Sequence, residues 1–276
     1  MTAHAEGVQD FLKSSSGCVL VCVHAAKGST PRDAGVFMLV TRTAIFRTIG
    51  GGQLEYMAID KARQMLRAGP VEDILDIGLG PEIGQCCGGR VSLKFQRVDE
   101  NISQEIIQAM SQESAARPHV YIFGAGHVGN ALARAVNLLP VRAILVDSRQ
   151  AELDAAPVGI ESMLIAMPEA LVRDAPKGSA FLVLTHDHAL DFLIVKEALA
   201  REDAVYVGMI GSKSKRATFN TWFKREGGAE GALGRLICPM GGNAVRDKRP
   251  EIIAALVAAE VIAALIRCEQ KAMVTA

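Results

Sequence analysis

The sequence predicts an α/β protein in which a small α+β domain precedes a Rossmann-like, doubly wound parallel-sheet domain. The chain has 276 residues, which is enough for about two domains of ordinary size. Its second half alternates strand-like and helical stretches, a pattern typical of βαβ units. A glycine-rich turn in that half follows a strand and opens a helix. We expect an N-terminal domain over 1–99, a helical linker over 100–118 and the Rossmann-like domain over 119–276.

The predicted N-terminal domain consists of short strands and one helix. An amphipathic pattern over 53–67 indicates the helix, because Leu54, Ala58 and Ala62 share a face. Apolar runs bounded by turn residues indicate the strands. These runs cover 18–24, 35–41, 44–49, 73–77 and 90–98.

The predicted second domain begins after Pro118, which ends the polar helical linker. Strands are expected at 120–123, 142–147, 180–184 and 204–209, with a further strand near 161–165. Helices are expected at 127–139, 188–200 and 213–226. The segment 250–272 is apolar on nearly every face, so we expect it to be buried between domains or between subunits.

Composition excludes several classes of protein. Lys+Arg and Asp+Glu both number 30, and no basic block is long enough for nucleic-acid binding. The longest apolar run, 252–266, is short for a membrane span and is interrupted by Glu260. The N-terminus has no apolar core of a signal peptide, and six cysteines in so long a chain do not indicate a disulfide framework. We therefore expect a cytoplasmic protein with a small-molecule ligand, no nucleic-acid partner and no membrane association.

The glycine-rich turn has the chemistry of a phosphate site. Gly124 would make the tight turn, Gly126 would let an anion approach the backbone, and Gly129 would let helix and strand pack closely. Asp147 ends the next strand, where an acid would bind a ribose diol. The alternative is a tight strand–helix corner without a ligand.

Further polar residues follow other strands of the predicted sheet. His127, His186 and His188 fall at carboxyl ends of strands, together with Asp187. A polar rim around a ligand, or a hydrogen-bonded loop, fits them better than a metal site. The basic turn at 213–216, with Ser212 as N-cap and Lys213 in the first turn, suits a docked anion, and a solvated turn is the alternative.

Two features stand out in the N-terminal domain. Gly50, Gly51 and Gly52 lead into a helix whose first turn contains Glu55, so a ligand approaching the backbone or a tight turn would explain them. Cys86 and Cys87 lie in a glycine-rich loop, where a soft thiolate would be accessible. By contrast, Cys18, Cys22 and Cys268 are expected to be buried apolar residues, and Cys238 stays unassigned.

Taken in order, these motifs resemble the XdhC/CoxI family, accessory proteins of xanthine dehydrogenase and related molybdenum hydroxylases. The resemblance covers about 17–265. In the first half it is carried by the segments Gly28–Arg32, Ile49–Glu55 and Gln85–Gly89. In the second half it is carried by Phe123–Gly129, Val146–Arg149, Thr185–His188 and Gly208–Lys213. The chain departs from many relatives in having Pro239-Met240-Gly241-Gly242 near its C-terminus, which points to the xanthine-dehydrogenase branch.

The resemblance implies a cofactor chaperone rather than a turnover enzyme. Such proteins bind the molybdenum cofactor, a phosphorylated pterin dithiolene (molybdopterin), support its sulfuration by a cysteine desulfurase and insert it into the xanthine dehydrogenase apoprotein. A homodimer is also expected. Cys86 and Cys87 would contact molybdenum or its sulfur. The full expected binding set is Gly50, Gly51, Gly52, Glu55, Gln85, Cys86, Cys87, Gly124, Gly126, His127, Gly129, Asp147, His186, Asp187, His188, Ser212 and Lys213.

Two other functions fit parts of the pattern. An NAD(P)-dependent oxidoreductase would use the Gly124–Gly129 loop and Asp147, with His186 as its acid–base group. A pterin nucleotidyltransferase would use His186, Asp187 and His188 around a magnesium ion. The glycine loop alone does not separate the oxidoreductase from the chaperone.

Overall fold

The computed structural model describes residues 3–81, 84, 88–242, 245 and 247–275. The chain divides into two compact units, Met1–Ala115 and Ala116–Ala276. As predicted, a small α+β unit precedes a unit with a parallel, Rossmann-like sheet. The sheet of the first unit is antiparallel.

The first unit is a five-stranded antiparallel sheet with helices on both faces. Its elements are α1 (Ala3–Lys13), β1 (Val19–Lys27), β2 (Phe37–Val40), β3 (Ile45–Phe46), α2 (Gly52–Ala68), β4 (Glu72–Gly78), β5 (Arg90–Arg97) and α3 (Glu100–Ala115). The strand order is β3-β2-β1-β5-β4. Because side chains alternate along a strand, Val21 and Phe95 pack with Leu54 of α2, whereas Leu39 faces the other way and packs with α1 and α3.

Helix α3 covers most of the predicted linker. Its buried residues Ile106 and Met110 form a small core with Val8 of α1 and with Cys18. The helix therefore packs within the first unit. Helix α1 was not predicted from the sequence.

The second unit is a six-stranded parallel sheet between two layers of helices. Its elements are β6 (His119–Phe123), α4 (His127–Val136), β7 (Arg142–Asp147), α5 (Gln150–Leu153), β8 (Glu161–Leu164), α6 (Pro168–Asp174), β9 (Ala180–Val183), α7 (His188–Ala200), β10 (Tyr206–Met209), α8 (Lys213–Arg225), β11 (Leu236–Ile237) and α9 (Pro250–Thr275). The strand order is β11-β10-β9-β6-β7-β8. Helices α4 and α9 cover one face, and α6, α7 and α8 cover the other.

The environment of helix α9 differs from the prediction that this segment is buried between domains or between subunits. Ala254, Val257, Val261 and Leu265 recur at helical spacing and pack with α4 in the core of the second unit. Ile266, in contrast, is 44% exposed. The helix thus has one buried face, and that face is covered by its own unit. No helix in the described part of the chain has the length and apolar character needed to cross a membrane.

Candidate functional site

The carboxyl ends of the parallel strands form the edge at which most of the predicted second-unit residues lie. Strand β6 pairs with β7 on one side and with β9 on the other, and the chain connections run in opposite directions from it. In open α/β sheets such a switch point forms a crevice for ligands. The glycine loop follows β6 at this point.

Glycine stands at the three positions of that loop for different physical reasons. A Cβ atom on Gly124 would clash with the carbonyl oxygen of Leu184, and one on Gly129 would clash with the carbonyl oxygen of Gly124. Both are therefore required by packing. A Cβ on Gly126 would meet no heavy atom within 4 Å, so packing does not explain this glycine and its backbone faces open space.

Asp147 supports the glycine loop from β7. Its Oδ2 accepts a hydrogen bond from the Ala125 N–H at 2.8 Å, and its Oδ1 accepts bonds from the backbone N–H and Nε of Arg149 at 3.0 and 3.1 Å. The residue is only 5% exposed. Burial acts to raise the pKa of this carboxyl, but the bonds from Arg149 and Ala125 outweigh it and hold the pKa below its ordinary value. In this conformation Asp147 does not present a free acceptor to a ribose.

We expect Asp147→Asn to lower the free energy of unfolding by about 1–3 kcal/mol near neutral pH, because a charged acceptor is lost. The folded pKa is depressed, so this stability is present above the unfolded pKa of about 3.9 and is lost as the pH falls through the folded pKa. Urea unfolding of both proteins between pH 3 and 8 measures the difference. Glu152→Gln is the control, because it removes only a half-exposed ion pair with the same Arg149. A difference that stays constant down to pH 3 would contradict this account.

The segment 185–188 is built around hydrogen bonds. Asp187 is the N-cap of α7, and its Oδ1 accepts from the Ala189 N–H at 2.8 Å. His127, His186 and His188 are exposed. Among the residues that the structure describes, no group of three His, Cys, Asp or Glu side chains could hold a metal ion. Asp187 is therefore part of a hydrogen-bonded loop, which is one of the two arrangements that the sequence favoured for this segment.

A buried ion pair next to this segment could not be foreseen. Asp191 is fully buried, and Lys215 of α8 donates a hydrogen bond to its Oδ2. The Asp191 Oδ1 accepts from the Thr185 N–H at 2.9 Å and from the Thr185 hydroxyl at 2.7 Å. The pair therefore joins the loop after β9 to the start of α8.

The basic turn of α8 is only partly available to a ligand. Ser212 is its N-cap, as predicted, with the Lys215 N–H donating to Oγ at 3.3 Å. Lys215 is committed to Asp191, and the Arg216 Nη1 donates to the Cys238 carbonyl oxygen at 3.2 Å. Lys213 alone of the three cations lines a cavity at this edge.

In the first unit, Glu55 shapes the three-glycine turn. Its Oε2 accepts from the backbone N–H groups of Ile49 and Gly51 at 3.1 and 3.2 Å, and from the Thr48 hydroxyl. Gly50, Gly51 and Gly52 all have positive φ, at 127°, 77° and 67°. Glu55 therefore acts as an internal acceptor, as the tight-turn interpretation requires.

Three loops of the first unit converge. The loop 28–32 touches the three-glycine turn, because a Cβ on Gly50 would lie 2.7 Å from the Pro31 Cβ. The same loop touches the turn after β4, because a Cβ on Gly28 would lie 3.3 Å from the Gly89 Cα. Arg32 is exposed, and no hydrogen bond joins its side chain to another described residue. Gln85, Cys86 and Cys87 lie outside the described residues.

The other cysteines differ in exposure. Burial raises the pKa of the Cys18 thiol to about 11, and it also raises the pKa of Cys22 and of Cys238. These three are therefore weakly reactive. Cys268 was expected to be buried, but it is exposed, because it lies on the outer face of α9.

Comparisons with known proteins agree with this fold. Residues 120–261 match the model of the XdhC Rossmann domain, and residues 11–78 match the model of the XdhC and CoxI family. YqeB of Escherichia coli strain K12 is 25% identical over 246 residues, which are 86% of this chain and 41% of YqeB. This chain thus spans less than half the length of that relative.

A solved structure has the same fold over nearly the whole chain. It is a Bacillus halodurans protein described as a xanthine dehydrogenase, with a TM-score of 0.79 at 18% identity, covering 97% of this chain and 96% of that one. The XdhC and CoxI model covers the loop 28–32 and the three-glycine turn of the first unit, and the Rossmann-domain model covers the strand-end loops of the second unit. On these matches, the chain belongs to the XdhC and CoxI family.

Proposed function

We propose that this chain is an accessory protein of xanthine dehydrogenase that binds the molybdenum cofactor and delivers it to the apoprotein. Family membership and the description of the Bacillus halodurans protein support the link to xanthine dehydrogenase. The observation that carries the cofactor role is the convergence of three glycine-containing loops in the first unit. In this proposal the cofactor is cargo rather than a resident group.

The chemistry of those loops fits a phosphorylated pterin dithiolene. Arg32 supplies an exposed guanidinium, which suits a phosphate. Gly51 has φ 77°, and a Cβ there would meet no heavy atom within 4 Å, so the turn is open to a ligand. Cys86 and Cys87 immediately precede Gly88 in the sequence, and soft thiolates bind molybdenum or its sulfur. We assign the metal contact to these two cysteines.

The glycine loop of the second unit has anion-binding geometry of its own. The open side of Gly126 at the start of α4 suits a phosphate, because a helix N-terminus attracts anions. The exposed His127, His186 and His188 would form a polar rim around such a ligand. The remaining parts of the proposal are sulfuration by a cysteine desulfurase, a cytoplasmic location and a homodimer.

A transfer assay tests the proposal. The purified chain is incubated with free molybdenum cofactor, separated from unbound cofactor and mixed with cofactor-free xanthine dehydrogenase, whose activity is then measured. We expect the loaded wild-type chain to activate the enzyme, and Cys86→Ala/Cys87→Ala to lose most of that activation. Cys268→Ala, at an exposed cysteine on α9, is the matched control and should behave as wild type. Wild-type activation by the double variant would rule out the thiol role.

A second experiment separates Arg32 from the cysteines. Arg32→Ala is expected to weaken cofactor binding by about tenfold, because one charge-assisted contact to phosphate is lost. Arg42→Ala, at another exposed arginine of the first unit, should leave binding unchanged. Equal effects of the two replacements would show that Arg32 contributes only general charge.

The Gly126 geometry also favours a second candidate, an NAD(P)-dependent oxidoreductase. Asp147 counts against it, since both oxygens of this carboxylate already accept hydrogen bonds. Titration with NADH, followed by its fluorescence, tests this function. Saturable NADH binding without molybdenum uptake would favour the oxidoreductase function over the chaperone function. Metal-dependent nucleotide turnover would instead indicate the nucleotidyltransferase.

A further inference from the structure

A cavity of about 260 Å³ lies on the sheet of the first unit. The described residues that line it belong to three neighbouring strands, β1, β5 and β4. They are Ala25, Lys27, Asp76, Arg90 and Ser92. None of them is in the binding set expected for the cofactor. The volume is just below the range of about 300–1,000 Å³ that is usual for small-molecule sites, so a ligand here would be small.

The register of the strands explains the recess. Val91 and Leu93 of β5 pack in the core beneath α2. Because side chains alternate along a strand, Arg90 and Ser92 point to the opposite face of the sheet. On that face Ser92 lies opposite Ala25 of β1. Both side chains are small, and they leave a space that longer charged side chains surround.

Two cations oppose each other at one end of the cavity. Lys27 of β1 pairs in register with Arg90 of β5. Directly opposite residues of an antiparallel pair have Cβ atoms about 4.5–5.5 Å apart, and like charges at such positions are destabilising. Both side chains are exposed, and neither is hydrogen-bonded or ion-paired to another described residue. A bound carboxylate would offset this repulsion.

An acid without a partner lies on the other side of the cavity. Asp76 of β4 pairs in register with Ser92, so it is a diagonal neighbour of Arg90, about 7–8 Å away. Glu72 has the same diagonal relation to Lys94, and those two form an ion pair with 3.8 Å between Oε2 and Nζ. The side chain of Asp76 is one methylene shorter, and it is not hydrogen-bonded or ion-paired to another described residue. The cavity therefore separates an acid from two cations on one face of the sheet.

These three charges select against ligands of a single charge. A simple anion would be attracted by Lys27 and Arg90 but repelled by Asp76, and a simple cation would meet the reverse. A zwitterion that carries a carboxylate and an ammonium group would find a partner for each. The guanidinium group of Arg90 also matches a carboxylate in bidentate geometry.

We propose that this cavity binds a small free α-amino acid. Arg90 and Lys27 bind the carboxylate, and Asp76 binds the ammonium group. Ala25 and Ser92 lie between these charges and leave space for a short side chain. The inference goes beyond the proposed function, because it requires neither molybdenum nor any residue assigned to the cofactor.

An NMR titration of the ¹⁵N-labelled full chain, without cofactor, tests the inference. The probes are L-alanine, propionate, which lacks its ammonium group, and ethylamine, which lacks its carboxylate. Glycine and L-serine test the tolerance for other short side chains. L-Alanine should bind about tenfold or more tightly than propionate or ethylamine, because each of these loses a charge-assisted contact.

Two variants test the assigned contacts. Arg90→Gln should weaken L-alanine binding by about tenfold. Asp76→Asn should weaken L-alanine binding to a similar extent, but propionate should bind it at least as tightly as it binds wild type, because a repulsive charge is removed. The control Asp60→Asn/Arg67→Gln removes two exposed charges of α2, on the opposite face of the sheet. It should change L-alanine binding less than about twofold.

Three results would each overturn the inference. One is no saturable binding of glycine, L-alanine or L-serine at millimolar concentration. Another is propionate or ethylamine that binds wild type as tightly as L-alanine, which would indicate a site for a simple ion. The third is L-alanine binding that is unchanged in Arg90→Gln, which would place the amino acid elsewhere on the chain.

Discussion

Replacing Asp191 with alanine is expected to lower the free energy of unfolding by about 3–5 kcal/mol. Asp191 is fully buried, and its removal leaves the Lys215 ammonium group in a largely buried position without its counter-charge. The Thr185 N–H also loses its acceptor. Chemical denaturation at neutral pH measures the loss, and circular dichroism establishes that the variant still folds.

The double variant Asp191→Leu/Lys215→Met is the matched control. It removes both charges and leaves no buried ion without a partner, so it should be more stable than Asp191→Ala. A single variant that loses less than about 1 kcal/mol, which is the usual value of an exposed ion pair, would contradict the assignment of this pair as buried.

The second large effect is expected for Gly129→Ala. The added methyl group would meet the carbonyl oxygen of Gly124, which is backbone and cannot turn away. The helix α4 would have to move from β6, and such overpacking costs about 2–3 kcal/mol or more. Thermal or urea unfolding measures this loss.

Gly126→Ala is the control for that replacement. Gly126 has φ −70° and no heavy atom near its missing Cβ, so alanine fits the backbone. Its cost should be about 1 kcal/mol at most, which is typical of a less favourable N-cap residue. Equal stability losses at the two glycines would show that packing does not distinguish them. Loss of ligand binding in a stable Gly126→Ala would place the ligand at this turn.

Much of the fold could be predicted from local pattern. The buried strands β6, β7 and β9 are short, continuous apolar runs, and the helices between them have clear boundaries. The two-residue strands β3 and β11 are too short for any periodicity, and only β3 fell within a predicted run. Helix α1 was not predicted, because it is only 11 residues long, contains Gly7 and has a short apolar face of Val8, Phe11 and Leu12.

The location of the candidate site could be predicted from the sequence, but the hydrogen bonds of its residues could not. The loops after the strands were found from their glycines, histidines and lysines. Which of these groups are already engaged depends on contacts between distant parts of the chain. Lys215 and Asp191 are 24 residues apart, and Tyr206 and Glu260 are 54 apart. No local signal pairs such residues. The sequence therefore predicted three cations available to an anion in the basic turn, whereas in the structure Lys215 and Arg216 are engaged in hydrogen bonds and Lys213 is available.

The most direct test of the proposed cofactor role is the molybdenum and pterin content of the chain after loading. The purified protein is incubated with free molybdenum cofactor and passed through a gel-filtration column. Metal analysis then gives the molybdenum content of the protein peak, and fluorescence of the oxidised pterin gives the pterin content. We expect both to co-elute with the chain in a one-to-one ratio to each other and in stoichiometric amount. A protein peak without molybdenum, or molybdenum without pterin, would contradict the proposal.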